Sequence, residues 1–132
     1  MSPLLLDYVK EHFKNYRNDL YSCFMYKTTS MLKENRFVGL MTSYTWMFLT
    51  AFSKMRASLL SKNSLITLVQ PEYHAFFKEA FVPICTFVLS NCCMNYAGKY
   101  IQLANFIGAD EQEKHTLEAI KNKYCDSNFP HQ

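Results

Sequence analysis

At 132 residues, with 49% hydrophobic and 16% aromatic content, the chain has the length of one domain and enough apolar side chain to bury a core. That composition excludes a disordered linker or tail, which cannot bury enough apolar surface to offset the entropy of ordering. A net charge of +3 with no run of basic residues tolerates an anionic partner but does not by itself specify nucleic acid.

Leu4-Leu5-Leu6 is followed at once by Asp7, Lys10 and Glu11, so the N-terminus does not read as a signal peptide. Pro3 suits the first turn of a helix over residues 3–13, with Leu5, Leu6, Val9 and Phe13 on one face. After the polar break Asn15–Asn18, Asn18 or Asp19 caps a second helix reaching about Glu34. Its apolar stripes are Leu20, Phe24, Met31 and Tyr21, Met25, Leu32.

Arg36–Leu60 is the organising stretch. Phe37-Val38-Gly39-Leu40-Met41 is a continuous apolar run of strand length, and a strand apolar on both faces is expected inside a sheet covered on both sides. Thr42 or Ser43 then caps a helix whose Phe48, Phe52, Met55 and Leu59 make one stripe, with Lys54, Arg56 and Ser58 on other faces. Strand, turn and helix in succession are the building unit of α/β folds. The apolar window Phe37–Leu49 falls short of the roughly 20 residues a membrane helix needs.

Ser61-Lys62-Asn63-Ser64 reads as a turn, Leu65–Val69 as a strand stopped by Pro71, residues 72–81 as irregular and aromatic, and Val82–Ser90 as a third strand. The short connection favours antiparallel pairing of these two strands. Tyr100–Phe106 adds a weak strand. Glu111–Tyr124 reads as a helix with Leu117, Ile120 and Tyr124 on one side, before a frayed tail. The result is one α/β domain over residues 1–132. A helical pair (1–35) leads into a sheet with a central helix (36–110), followed by a C-terminal helix and tail (111–132). Cys23, Cys85, Cys92, Cys93 and Cys125 form an odd, unevenly spaced set, expected to be reduced thiols of a cytoplasmic protein.

The segment GLMTSYTWMFLTAFSKMRASLL resembles the stretch that follows the catalytic loop in large adenine-specific DNA methyltransferases. The nearest groups are the phage-exclusion (BREX-type) PglX enzymes and the Eco57I-like restriction-modification enzymes. LLLDYVKEHFKNYRNDLYSCFM, with Asp19-Leu20-Tyr21, resembles that family's helix pair. RFVGLMTSYTWMF, SLITLVQ and EAFVPICTFVLSN resemble its fifth, sixth and seventh strands in order, and GKYIQLANFIG with KHTLEAIKN resembles its continuation.

The resemblance implies a partial Rossmann-like methyltransferase sheet of three to four mixed strands flanked by helices, the last two family strands forming an antiparallel excursion. It implies methyl transfer from S-adenosylmethionine to N6 of an adenine flipped from the duplex, since the base edge is otherwise out of reach. The family's Asn/Asp-Pro-Pro-Tyr/Phe loop and Gly-containing cofactor loop have no counterpart here: the chain has no Pro-Pro pair and no Gly-x-Gly. It therefore resembles the second half of such a domain, a fragment or split subunit expected to be inactive alone, with S-adenosylmethionine bound by the intact family and not by this chain.

In related enzymes an aromatic residue ahead of the seventh strand stacks on the flipped base. Phe77 is the positional match, with Phe76 and Phe81 as alternatives; each could equally close the core. Asp19, Ser43 and Tyr44 are pocket candidates, and caps plus core aromatics would explain them as simply. Lys54, Arg56 and Lys62 either touch DNA backbone or lie on a solvated face, and His74 either faces a partner or is a solvated loop residue. Cys92-Cys93 with His115 fits no zinc spacing, so no metal is expected.

The expected partners are a second copy or a complementing methyltransferase half covering the edge left by the absent fourth strand, with DNA bound only in the intact complex and no membrane. The rival expectation is a non-catalytic interaction module derived from the same fold, binding a methyltransferase or another defence component.

Overall fold

A computed structural model describes residues 2–75, 82–92 and 97–122. Helix α1 spans Pro3–His12, with Pro3 in its first turn and the Ser2 hydroxyl accepting from the Leu5 N–H. It buries only Val9 and leaves Leu4, Leu5 and Leu6 exposed. Helix α2 spans Leu20–Ser30 and is capped by Asp19, whose carboxylate accepts from the Tyr21 N–H at 3.3 Å.

The stripe expected on α2 is only half right. Met25 is buried, but Phe24 and Met31 are 68% and 72% exposed, and the rest of the buried side is Ser22, Cys23 and Thr29. Small side chains let α2 approach closely where it packs against the sheet, and Ser22 Oγ and Cys23 Sγ both donate to the Tyr16 carbonyl. The helix also stops short of Glu34. Thr28, Thr29 and Ser30 in a row turn their hydroxyls onto the Phe24, Met25 and Lys27 carbonyls, which competes with continuation of the helix.

Four strands follow: β1 (Phe37–Ser43), β2 (Ser64–Gln70), β3 (Ile84–Ser90) and β4 (Lys99–Gln102). Their order is β1-β3-β2-β4. The middle strand β3 is antiparallel to both β1 and β2, so those two run parallel to each other, and β4 is parallel to β2. A bulge between Leu65 and Thr67 shifts the β2–β3 register. The expected antiparallel pair and the mixed sheet are both present.

Register separates the faces. Val38, Leu40 and Thr42 stand beside Leu89, Phe87 and Cys85, and then Leu65 and Leu68, on the core face. There they meet Met25, Trp46, Phe52, Met55 and Leu59. Phe37, Gly39 and Met41 stand beside Ser90, Val88 and Thr86, and then Thr67 and Val69, on the other face, where Phe37 and Met41 are 56% and 49% exposed. The expectation that β1 lies inside the sheet with cover on both sides is thus corrected. Among the described strands it is an edge, and one of its faces is open. A continuous apolar run reports what a strand can bury, and among the described residues no second layer covers β1.

The helix expected after β1 is also broken into pieces. Two short 3-10 helices, Tyr44–Met47 and Thr50–Phe52, precede α3 (Ser53–Leu60), and Leu49 between them is extended (φ −69°, ψ 133°). Phe52, Met55 and Leu59 are buried as the stripe predicts, whereas Phe48, ahead of the break, is exposed. Arg56, read above as solvated or facing DNA, instead reaches back: its Nη1 donates to the Trp46 (2.6 Å) and Leu49 (2.8 Å) carbonyls. Those carbonyls lie at helix breaks, where the Leu49 carbonyl also accepts from the Phe52 N–H at 3.0 Å, and a guanidinium supplies the further donor that each can take. Arg56→Ala is expected to lower stability by about 1–2 kcal/mol, with Arg56→Lys recovering only part because it lacks the planar fork. Urea unfolding of the two variants checks this, and wild-type midpoints for both would refute it.

Beyond β4, Leu103 is buried and its N–H donates to the Gln70 carbonyl at 2.8 Å. Helix α4 (Ala109–Lys121) starts after Gly108, whose φ of 93° belongs to the region that favours glycine. Gln112 Nε2 donates to the Leu103 and Phe106 carbonyls, and His115 stacks on Phe106 with centroids 3.6 Å apart. Leu117 and Ile120 share the side expected to be apolar yet stay exposed, and Tyr124 lies outside the described residues. No described helix is long and apolar enough to cross a membrane.

Candidate functional site

Because β1 and β2 are parallel, their carboxyl ends reach the same edge of the sheet, where ligands bind in open α/β folds. The start of β3 arrives there too, and the Tyr44 N–H donates to the Pro83 carbonyl at 3.0 Å. Three of the sequence candidates converge on this edge, each already engaged. Asp19 caps α2. Ser43 Oγ accepts from the Thr45 N–H (3.3 Å) and shares a hydrogen bond with Thr45 Oγ1 (2.9 Å), which in turn lies 3.2 Å from the Tyr21 hydroxyl. The Tyr44 hydroxyl donates to the Tyr73 hydroxyl at 2.8 Å.

The edge therefore holds two hydroxyl groupings, Ser43–Thr45–Tyr21 and Tyr44–Tyr73, with Phe48 set edge-on against the Tyr44 ring. From the sequence, Thr45 stands out only within the stretch Ser43-Tyr44-Thr45-Trp46 after the strand, Tyr21 only within Asp19-Leu20-Tyr21 and a helix stripe, and Tyr73 only as the neighbour of His74. Thr45, two residues past a predicted cap, and Tyr73, two past the Pro71 that ends a predicted strand, were the available signals. Phe76, Phe77 and Phe81 lie outside the described residues, as does Cys93.

Burial dominates the electrostatics. It pushes the Tyr44 hydroxyl from 10.0 to about 12, helped by the hydrogen bond and repulsion from Tyr73. It also raises Tyr21, against the opposing hydrogen bond from Thr45, and pushes the Cys85 thiol from 9.0 to about 11. The protonated forms are the ones the fold favours. Their stabilisation is complete below the unfolded values and is lost as pH rises through the folded ones, from about 9 to 11 for Cys85 and 10 to 12 for Tyr44. The expected result is a tyrosine whose phenolate absorbance develops late, near pH 12, and moves earlier in Tyr73→Phe. A single transition near 10 in both proteins would refute the pairing.

A cleft of about 630 Å³ adjoins this edge between the open sheet face and α4, lined by Val69, Thr86, Glu72, His74, Gln112 and Leu117 among others. His74 stands here at a rim, its backbone N–H donating to the Glu72 carboxylate at 2.9 Å. His115 lies between Glu111 (3.3 Å) and Glu118 (3.2 Å). No group of three His, Cys, Asp or Glu among the described residues is placed to hold a metal.

Among the described residues, none at this edge is placed to hold S-adenosylmethionine. The hydroxyls at the sheet edge are committed to one another, and Asp19 to its helix. The three glycines make no cradle: Gly39 lies within β1, Gly98 is pressed against the Leu65 carbonyl, and Gly108 starts α4.

The chain is similar to two curated adenine-specific methyltransferases. It is 29% identical over 125 residues to BrxX of Escherichia coli O9:H4 (strain HS), covering 93% of this chain and 10% of that protein. It is 24% identical over 125 residues to PglX of Lacticaseibacillus casei (strain Zhang), covering 92% and 10%. It thus spans about a tenth of the length of these relatives. The fold is similar to the solved structure of a class I S-adenosylmethionine-dependent methyltransferase from Listeria monocytogenes. The TM-score is 0.56 at 11% identity, over 75% of this chain and 31% of that one. The model of the Eco57I restriction-modification methylase family matches residues 2–77, more than half of the chain, and the chain belongs to that family.

Proposed function

We propose that this chain serves as the base-side portion of an S-adenosylmethionine-dependent N6-adenine DNA methyltransferase of a phage-defence restriction-modification system, and that it does not transfer methyl groups alone. The observation that carries this reading is the β1-β3-β2 arrangement, with the antiparallel strand between two parallel ones, in a chain whose residues 2–77 match the family. The placement of the three glycines, within β1, against the Leu65 carbonyl and at the start of α4, together with the absence of a Pro-Pro pair and a Gly-x-Gly from the sequence, is what the second half of the proposal rests on. The aromatic segment just past Ala75, bearing Phe76, Phe77 and Phe81, is the proposed stacking element for the flipped base.

The free edge of β1 favours a partner. Among the described strands β1 is an edge, and an apolar edge strand invites another strand. The proposed occupant is a complementing methyltransferase portion or, without it, a second copy. The same edge favours a second reading, a non-catalytic module that docks on a methyltransferase or another defence component.

Calorimetric titration with S-adenosylmethionine, with solution mass measured alongside, tests the first reading. No binding together with a dimer or larger species is expected. One-to-one binding by a monomer would overturn it. Adenine methylation regained on adding a second chain that carries an Asn-Pro-Pro-Tyr loop would separate the portion of an enzyme from the module.

A further inference from the structure

Away from the sheet edge, the turn between α1 and α2 faces the start of α3 across a groove of about 440 Å³. Its walls carry four cations, Lys10 and Lys14 on and just past α1, Arg17 in the turn, and Lys54 opposite on α3, and no carboxylate lines it. Lys10 has a loose surface partner in Asp7 at 3.7 Å. Among the described residues Lys14, Arg17 and Lys54 have none, although like charges gathered in one groove repel one another.

We propose that this groove binds the phosphodiester backbone of duplex DNA. Cations on facing walls can neutralise successive phosphates, which is the sequence-independent part of DNA affinity. The remaining lining is suited to the same ligand. The Thr50 and Ser53 hydroxyls and the Asn15 amide are neutral groups of the kind that hydrogen-bond phosphate oxygens. Helix α3 opens into the groove at Ser53 with no side-chain cap.

The groove is also anchored beside the sheet edge. The Asn18 amide donates to the Ala51 carbonyl across it, one residue before the Asp19 cap, and Tyr21 in the next turn reaches Thr45. A duplex held there would run past the carboxyl end of β1. A concave site with cations on two walls suits a polyanionic strand better than a flat bilayer. The choice of DNA among polyanions rests on the methyltransferase reading above.

The test is fluorescence anisotropy of the purified chain with a labelled duplex of G·C pairs only, titrated over a range of salt. Such a duplex offers no adenine, so failure here and failure of methyl transfer are separately visible. The expected dependence of log K on log salt has a slope of about −3, near 0.9 per phosphate neutralised. Lys14→Ala/Arg17→Ala/Lys54→Ala removes exposed side chains and is expected to weaken binding by at least about tenfold and flatten the slope by about 2 to 3, roughly one per cation. The charge-matched Lys33→Ala/Lys62→Ala/Lys121→Ala is expected to stay within about threefold of wild type, since its cations lie outside the groove. Equal loss in both triple variants would overturn the proposal, as would binding to phosphatidylserine vesicles with none to DNA.

Discussion

Phe87→Ala is expected to cost about 3–5 kcal/mol, enough to leave little of the usual margin of a domain this size. Phe87 sits at the centre of the core face, 2% exposed, on the strand that pairs with both β1 and β2. Its ring meets Trp46 with centroids 5.4 Å apart, and it stands beside Leu40 on one strand and Leu68 on the other. Truncation removes the transfer energy of the ring and leaves a cavity between a sheet and a helical layer that cannot both collapse into it. Trp46 would lose its packing partner as well, and its own carbonyl is one of the two held by Arg56. Urea unfolding followed by the fluorescence of Trp46, the single tryptophan of the chain, measures both effects at once. A loss below about 1.5 kcal/mol would mean that the core around Phe87 relaxes to fill the space the ring leaves.

The contrast with the other face of the sheet shows what the sequence made legible. The apolar runs of β2 and β3 and the stripe Phe52–Met55–Leu59 place the core, because their buried side chains are satisfied by contacts inside the chain. The run Phe37–Met41 misleads because its second face meets no layer among the described residues. The same holds for Leu117 and Ile120 on α4. Apolar pattern reports capacity for burial, whatever supplies the neighbour.

Polar detail was harder to read. Ser43 and Asp19 were correctly suspected at helix starts, where capping chemistry is local. Arg56 was misread because its partners exist only where the expected helix breaks at Leu49. The basic groove is invisible along the chain for a similar reason. Lys10 and Lys14 are one helical turn apart, but Lys54 joins them only after the α1–α2 turn has docked against α3. The proposed stacking residues Phe76, Phe77 and Phe81 rest on the family resemblance alone.

Gly98→Ala carries the second large expected effect, at a residue that no motif marks. A β-carbon at Gly98 would stand 2.3 Å from the Leu65 carbonyl oxygen and 2.8 Å from the Tyr100 hydroxyl. The tyrosine tip can swing aside. The carbonyl cannot, because Leu65 is paired with Leu89 next to the β2 bulge. The strain must then be relieved by moving β4, whose pairing with β2 begins one residue later at Lys99. Overpacking of this kind costs about 1–3 kcal/mol, and contact with fixed backbone puts Gly98→Ala at the upper end.

At about 3–5 °C per kcal/mol for a chain of this length, the melting temperature should fall by about 10 °C. The effect should also be regional. Leu103 N–H, bonded to the Gln70 carbonyl just past β4, should lose hydrogen-exchange protection, while the β1–β3 ladder keeps its own. Uniform loss of protection would show that β4 is integral to one cooperative sheet. An unchanged melting temperature would show that β4 sits farther from β2 than the close approach of Gly98 to Leu65 requires.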